Sequence, residues 1–130
     1  MAGKAEIVRL LIVEENGAMR RLVRAVLEGL RISISECSDG TQVLAACAGT
    51  QPDWVVLDLN LAGMDALAAT RQIAAAYPHI RILVLGDDDD DRLRHTATRA
   101  GAWSYVLKAD LTGVRQLLDF VSRDPVRPWE

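Results

Sequence analysis

Five short hydrophobic runs recur along this chain, each followed by a stretch whose apolar residues return every three or four positions. That alternation of two periods constrains the fold more than any other feature. A strand buried on both faces reads as a continuous apolar run, and an amphipathic helix as an i, i+3, i+4, i+7 pattern. "EIVRLLIV" (Glu6–Val13) is the first run, followed by Met19, Leu22, Val23, Val26 and Leu27 at helical spacing, with Gly29 placed to end the helix. "ISISECS" (Ile32–Ser38) is the second, and a small-residue helix runs from Asp39 through Val43, Leu44 and Cys47 to Gly49. "DWVVLDLN" (Asp53–Asn60) gives a third strand with its exit loop. An Ala-rich helix follows from Asp65 to Tyr77, closed by Pro78. "IRILVL" (Ile80–Leu85) precedes a fourth helix, Asp87 to Ala100. "AWSYVL" (Ala102–Leu107) precedes a fifth, with the stripe Leu111, Val114, Leu117, Leu118 and Val121.

Five strands alternating with five helices predict an α/β fold, with a parallel sheet covered on both faces. Right-handed crossovers leave a doubly wound five-stranded sheet of order 2-1-3-4-5, flavodoxin-like, as the leading topology. At 130 residues the chain suits one domain. The tail "RDPVRPWE" has two prolines and no period, so residues 125–130 read as a tail or the start of a linker and 1–124 as the domain. A net charge of -3 argues against a nucleic-acid surface. No run approaches the ~20 apolar residues of a membrane span, and the N-terminus carries no secretory signal. Cys37 and Cys47 show no metal-ligand spacing and read as core thiols in a reducing compartment, so a cytoplasmic location is expected.

Ligands of such sheets bind beyond the carboxyl ends of the strands, at the switch point between strands 1 and 3. Glu14 and Glu15 end strand 1, Asp58 ends strand 3, Gly86 and Asp87 end strand 4, and Lys108 ends strand 5. Three carboxylates converging on one spot repel each other unless a hard cation such as Mg²⁺ neutralises them. Lys108 is a point charge suited to Asp58 or to a phosphoryl group beside it. Each residue also has a plainer reading: acids after a strand start helices, a lone Asp caps one, and a lone Lys faces water. The run "GDDDDD" (Gly86–Asp91) poses the same choice, between the first turn of helix 4 and a contribution to cation binding by Asp87 or Asp88. Arginine-bearing stripes on helix 4 (Arg92, His95, Arg99) and helix 1 (Arg20, Arg21, Arg24) read as solvated faces.

"LLIVEENGAMRRLV", "PDWVVLDLNLAGMDAL" with its Gly63-Met64 turn, and "AGAWSYVLKAD" together resemble the receiver domain of two-component response regulators. The resemblance covers about Glu6 to Arg123 and is nearest to receivers of regulators with a helix-turn-helix output domain. It implies a non-enzymatic signalling module in which Asp58 accepts a phosphoryl group from a sensor histidine kinase. Glu15, Asp58 and the backbone carbonyl of Asn60 would ligate Mg²⁺, Glu14 would help through water, and Lys108 would pair with the phosphoryl oxygens. A second copy of the chain and an output domain outside it are the other partners implied. No nucleic acid or membrane is expected to bind this domain directly. Three positions depart from the family pattern. The acid pair is Glu-Glu rather than Asp-rich. Gly86 stands where a Thr or Ser hydroxyl is usual, leaving the switch aromatic Tyr105 without its usual partner. Asp87 stands where a small residue is usual. Two functional expectations follow: a phosphorylation switch acting through helix 4, strand 5 and helix 5 or by dimerisation, and a degenerate receiver serving as a phosphorylation-independent interaction module.

Overall fold

The computed structural model describes residues 7–61 and 64–123. Glu6, the Gly63 half of the expected turn, the Val121 side chain and the tail 124–130 lie outside what it describes. Five strands, β1 (Val8–Val13), β2 (Ile32–Cys37), β3 (Trp54–Asp58), β4 (Arg81–Gly86) and β5 (Ser104–Leu107), alternate with α1 (Gly17–Val26), α2 (Val43–Thr50), α3 (Ala66–Ala76), α4 (Asp91–Ala100) and α5 (Thr112–Arg123). Every pairing is parallel and the order is β2-β1-β3-β4-β5, the doubly wound arrangement that the two periods predict.

Side-chain alternation along the strands divides the core into two layers. Leu11, Val13, Val55, Leu57, Ile82, Val84 and Tyr105 pack with residues of α2, α3 and α4, among them Cys47, Ile73 and Ala97. Leu10, Ile12, Val56, Leu83 and Leu85 face the other way, onto Val23 and Leu27 and onto Val114 and Leu118 of α5. The inner strands β1, β3 and β4 are buried nearly throughout, which is why they read as unbroken apolar runs, whereas edge strand β2 is half-buried and carries Ser33, Ser35 and Glu36. Both cysteines are buried and unbridged. Among the described residues no helix is long and apolar enough to cross a membrane.

The helix boundaries differ from expectation where caps decide them. α4 begins at Asp91 rather than Asp87, because Asp90 adopts the extended cap conformation and its Oδ1 accepts from Arg92 N at 2.8 Å. The backbone of Asp87–Asp89 is therefore loop. α1 ends at Val26, and Gly29 turns the chain beyond it at φ 88°. Gly101 ends α4 in the left-handed conformation, φ 115°.

Candidate functional site

Register places the candidate site at the carboxyl edge of the sheet. Val13 pairs with Leu57, so Glu14 and Asp58, the next residues of two adjacent strands, leave the sheet side by side. Asp58 pairs with Leu85, and Gly86 with Leu107, which brings Asp87 and Lys108 to the same rim. Glu14 and Asp58 are both buried, each 4% exposed. Neither is a helix cap: Asn16 caps α1 through Oδ1, accepting from Met19 N at 3.1 Å, and Asp65 caps α3. The plainer reading of both acids as helix starts is thereby set aside.

Asp58 accepts at Oδ1 from Lys108 Nζ at 2.9 Å and from the Asn60 backbone N–H at 2.9 Å. Burial works to raise its pKa and is outweighed by hydrogen bonds from Glu14, Asn60 and Lys108, so its carboxyl lies below the usual aspartate value. Burial also opposes the charge on Lys108, but the Asp58 carboxylate and, more weakly, Asp87 and Glu14 prevail and raise its pKa. Glu14 goes the other way. Burial, reinforced by the negative Asp58 beside it, pushes its carboxyl up to about 7. Its Oε2 accepts from Asn16 N at 3.0 Å, and no other group of the described residues donates to its buried Oε1; the hydrogen bond to Asp58 lasts only while Glu14 keeps its proton. Unpartnered buried oxygens are rare in folded proteins and mark places where a water or an ion completes the structure.

The sequence pattern suggested three converging carboxylates. The structure gathers two, Glu14 and Asp58, and among the described residues no group of three or more His, Cys, Asp and Glu is arranged to hold a metal. Glu15 is half-buried, and its backbone carbonyl, like that of Glu14, accepts from Arg20 Nη1. Two carboxylates with water satisfy Mg²⁺, and the orphaned Glu14 Oε1 is a hard oxygen donor, so these residues fit such an ion.

Asp87 leans back over this site although its side chain is 60% exposed. Its Oδ2 accepts from Asn60 Nδ2 at 2.6 Å and its Oδ1 lies 3.5 Å from Lys108 Nζ. Gly86 is explained by its neighbour: a Cβ built there would lie 2.0 Å from the Tyr105 hydroxyl oxygen and 2.4 Å from Cζ. The Tyr105 ring fills that space, 6% exposed, and its hydroxyl donates to the Asp88 carbonyl at 2.7 Å. Burial and the nearby Asp88 raise its pKa. Arg94 spans the same corner, with its guanidinium 5.1 Å from the centre of the Tyr105 ring, an ion pair to Asp89 at 2.8 Å and a bond to the Tyr105 carbonyl at 3.2 Å.

The profile of the family described as response regulator receiver domain matches residues 10–119. The chain belongs to the response regulator receiver family. This receiver is 33% identical over 104 residues to the transcriptional regulatory protein LiaR of Bacillus subtilis, covering 78% of this chain and 49% of that protein. It is 34% identical over 101 residues to the response regulator MprA of a Mycobacterium species, covering 78% and 44%. The receiver thus spans about half the length of the curated relatives it matches or less. Among solved structures, a LuxR-family two-component response regulator from Aurantimonas superimposes with a TM-score of 0.81 at 26% identity, covering 91% of this chain and 86% of that one. The signal receiver domain of the putative response regulator NarL from Mycobacterium tuberculosis, at 22% identity, shares the fold with a TM-score of 0.80 over 92% of this chain and 98% of its own.

Several participants escaped the sequence reading. Arg94 lies between the Arg92 and His95 positions assigned to a solvated face, and no spacing rule distinguishes it. The Asp88 carbonyl is a backbone atom, invisible in composition. Asn60 was expected to act through its carbonyl, and the structure gives its side chain a separate contact with Asp87. Arg20, expected on a solvated face, folds back onto the end of β1 and pairs with Glu36 at 2.8 Å. Arg92, His95 and Arg99 are indeed exposed.

Proposed function

We propose that this receiver accepts a phosphoryl group on Asp58 from a sensor histidine kinase and relays the change through the face formed by α4, β5 and α5 or by pairing with a second copy. The observation that carries this reading is the Lys108–Asp58 ion pair at 2.9 Å, set beside a buried Glu14 with an unpartnered oxygen. Such a site has a deprotonated nucleophile, a fixed positive charge and a buried oxygen free to meet a cation, as phosphoryl transfer dominated by positioning and charge requires. An Asp58 carboxylate oxygen attacks phosphorus. The bond from phosphorus to the phosphohistidine nitrogen breaks, and the departing imidazole keeps its electron pair. Lys108 Nζ, already within reach of Oδ1, balances charge on the arriving oxygens, while the Asn60 N–H holds Asp58 in place. Glu14 and Asp58, with Glu15 and the Asn60 backbone carbonyl completing the set, would hold Mg²⁺. When bound, the ion neutralises the carboxylates against the incoming anion.

The product is an aspartyl-phosphate, and the receiver is a signalling partner rather than an enzyme with a substrate of its own. We assign its place of action to the cytoplasm and its readout to an output domain outside this chain, DNA-binding as the name of the relative NtrC, a DNA-binding transcriptional regulator of Salmonella typhimurium, states of that protein. Direct binding of nucleic acid or membrane by this domain forms no part of the reading. The alternative of a phosphorylation-independent module drew on Gly86, Asp87 and the double glutamate, and the assembled Asp58–Lys108 pair weighs against it. Incubation with Mg²⁺ and a small phosphodonor is expected to add the mass of one phosphoryl group to the intact protein and none to Asp58→Asn. An adduct of equal yield on Asp58→Asn would refute the assignment.

A further inference from the structure

The rim of the site holds one contact that a phosphoryl group on Asp58 cannot leave undisturbed. Lys108 Nζ is shared, at 2.9 Å to Asp58 and 3.5 Å to Asp87, and the second Asp87 oxygen is held by Asn60. We propose that Asp87 is the moving part of this receiver's switch: a phosphoryl group on Asp58 expels Asp87 from Lys108, and the Asp88 carbonyl that holds Tyr105 inward moves with it. The proposal rests on the phosphoacceptor reading of Asp58 and says how that site is read out.

A phosphoryl group brings close to two negative charges and three strong acceptor oxygens to the Asp58 oxygen that already contacts Lys108. Lys108 is a single point charge and takes the stronger anion, leaving the Asp87 carboxylate beside a like-charged group with its cation withdrawn. Asp87 is free to yield, because its side chain faces solvent on its other side, 60% exposed. Nothing at Gly86 can act in the opposite sense, since that residue has no side chain and its Cβ volume is filled by Tyr105. One peptide bond separates Asp87 from Asp88, whose carbonyl accepts from both the Tyr105 hydroxyl at 2.7 Å and Asp90 N at 3.0 Å. Outward movement of Asp87 carries the Asp88 Cα with it and re-aims the Asp88–Asp89 peptide, which removes the acceptor from Tyr105 and loosens the corner that Arg94 shares with Asp89 and the Tyr105 ring. The trigger is repulsive: a carboxylate is pushed off the site, whereas no hydroxyl is drawn into it.

The test uses the whole receiver labelled with fluorotyrosine. There are two tyrosines, Tyr77 and Tyr105, so two fluorine resonances are read, assigned with Tyr77→Phe. Beryllofluoride with Mg²⁺ is expected to shift the Tyr105 resonance of the wild type. Asp87→Ala, without any ligand, is expected to shift it in the same direction, and to raise the rate of phosphorylation by a small phosphodonor by about threefold or more, as removal of one like charge allows. Asp87→Asn keeps an acceptor for Asn60 but no charge, and is expected to blunt the beryllofluoride shift. A phospho-adduct on wild-type Asp58 with an unmoved Tyr105 resonance overturns the proposal and leaves the phosphoacceptor reading standing. So does a beryllofluoride shift in Asp87→Asn as large as in the wild type, or a ligand-free Asp87→Ala resonance identical to wild type. Absence of an adduct in wild type and Asp87→Ala alike overturns the phosphoacceptor reading, and the proposal falls with it.

Discussion

Single residues carry most of what is individual about this receiver, and Gly86 is the clearest case. Read as a letter, it is a missing hydroxyl. In the structure it is a space, because the Tyr105 ring stands where a Cβ would be, 2.0 Å from its hydroxyl oxygen. The absence of a side chain and the inward aromatic are therefore one feature. Gly86→Ala must displace a buried ring whose hydroxyl is already committed to the Asp88 carbonyl, a case of overpacking that costs about 1–3 kcal/mol. Tyr105→Ala opens a cavity and is destabilising for a different reason. The double variant removes the clash, so its loss of stability in urea unfolding is expected to fall short of the sum of the two single losses. Strict additivity would mean that Gly86 and Tyr105 do not share this space. The sequence revealed that position 86 was unusual but not why, because close approach between side chains of neighbouring strands leaves no trace in either strand's own period.

At the scale of elements, the five aspartates from Asp87 to Asp91 divide their roles. Asp87 turns into the site, Asp88 offers its carbonyl to Tyr105, Asp89 pairs with Arg94, Asp90 caps α4, and Asp91 opens its first turn. The expectation of a helix cap within the run was correct in kind and displaced by three residues along the chain. Every member of the run is an acceptable cap, so composition could not choose among them. Tertiary contacts made the choice by pulling Asp87 toward Lys108 and Asn60. Asp90→Ala is expected to lower stability by about 1 kcal/mol, the usual loss when an N-cap side chain is removed. Asp88→Ala keeps its carbonyl and is expected to stay within about 0.5 kcal/mol of wild type, as exposed substitutions do. Thermal and urea unfolding of the two variants checks the pair, and an equal loss from both would contradict the division. The strands were legible for the opposite reason. Between Arg9 or Arg81 at one end and the site residues at the other, β1, β3 and β4 are buried on both faces, so those stretches had no freedom to be anything but apolar.

Across the whole molecule, the topology brings two carboxylates from adjacent parallel strands into one buried corner, and that choice has a global consequence. Glu14 has a folded-state pKa of about 7 against an ordinary value of 4.5. A group whose pKa is raised on folding supports the folded state below its unfolded value, and that support is lost as pH rises through the folded value. In Mg²⁺-free buffer, Glu14 therefore makes the receiver less stable as pH rises from 4.5 through 7, an effect expected to disappear in Glu14→Gln. Asp58, with its pKa lowered, acts in the other direction and only at the acid end, so it does not mask this slope. A cation held by Glu14 and Asp58 needs both ionised, and must displace the Glu14 proton where pH is below 7. Ligands that bind only the folded chain raise its stability by about 2.7 kcal/mol at a hundredfold excess over Kd. The rise in Tm produced by a fixed Mg²⁺ concentration should thus be several degrees and larger at pH 8 than at pH 6. It should be smaller at both in Glu14→Gln, and smaller still in Asp58→Asn. A Mg²⁺ response that is the same at both pH values would separate the ion from Glu14, leaving the unpartnered oxygen without a role in the site.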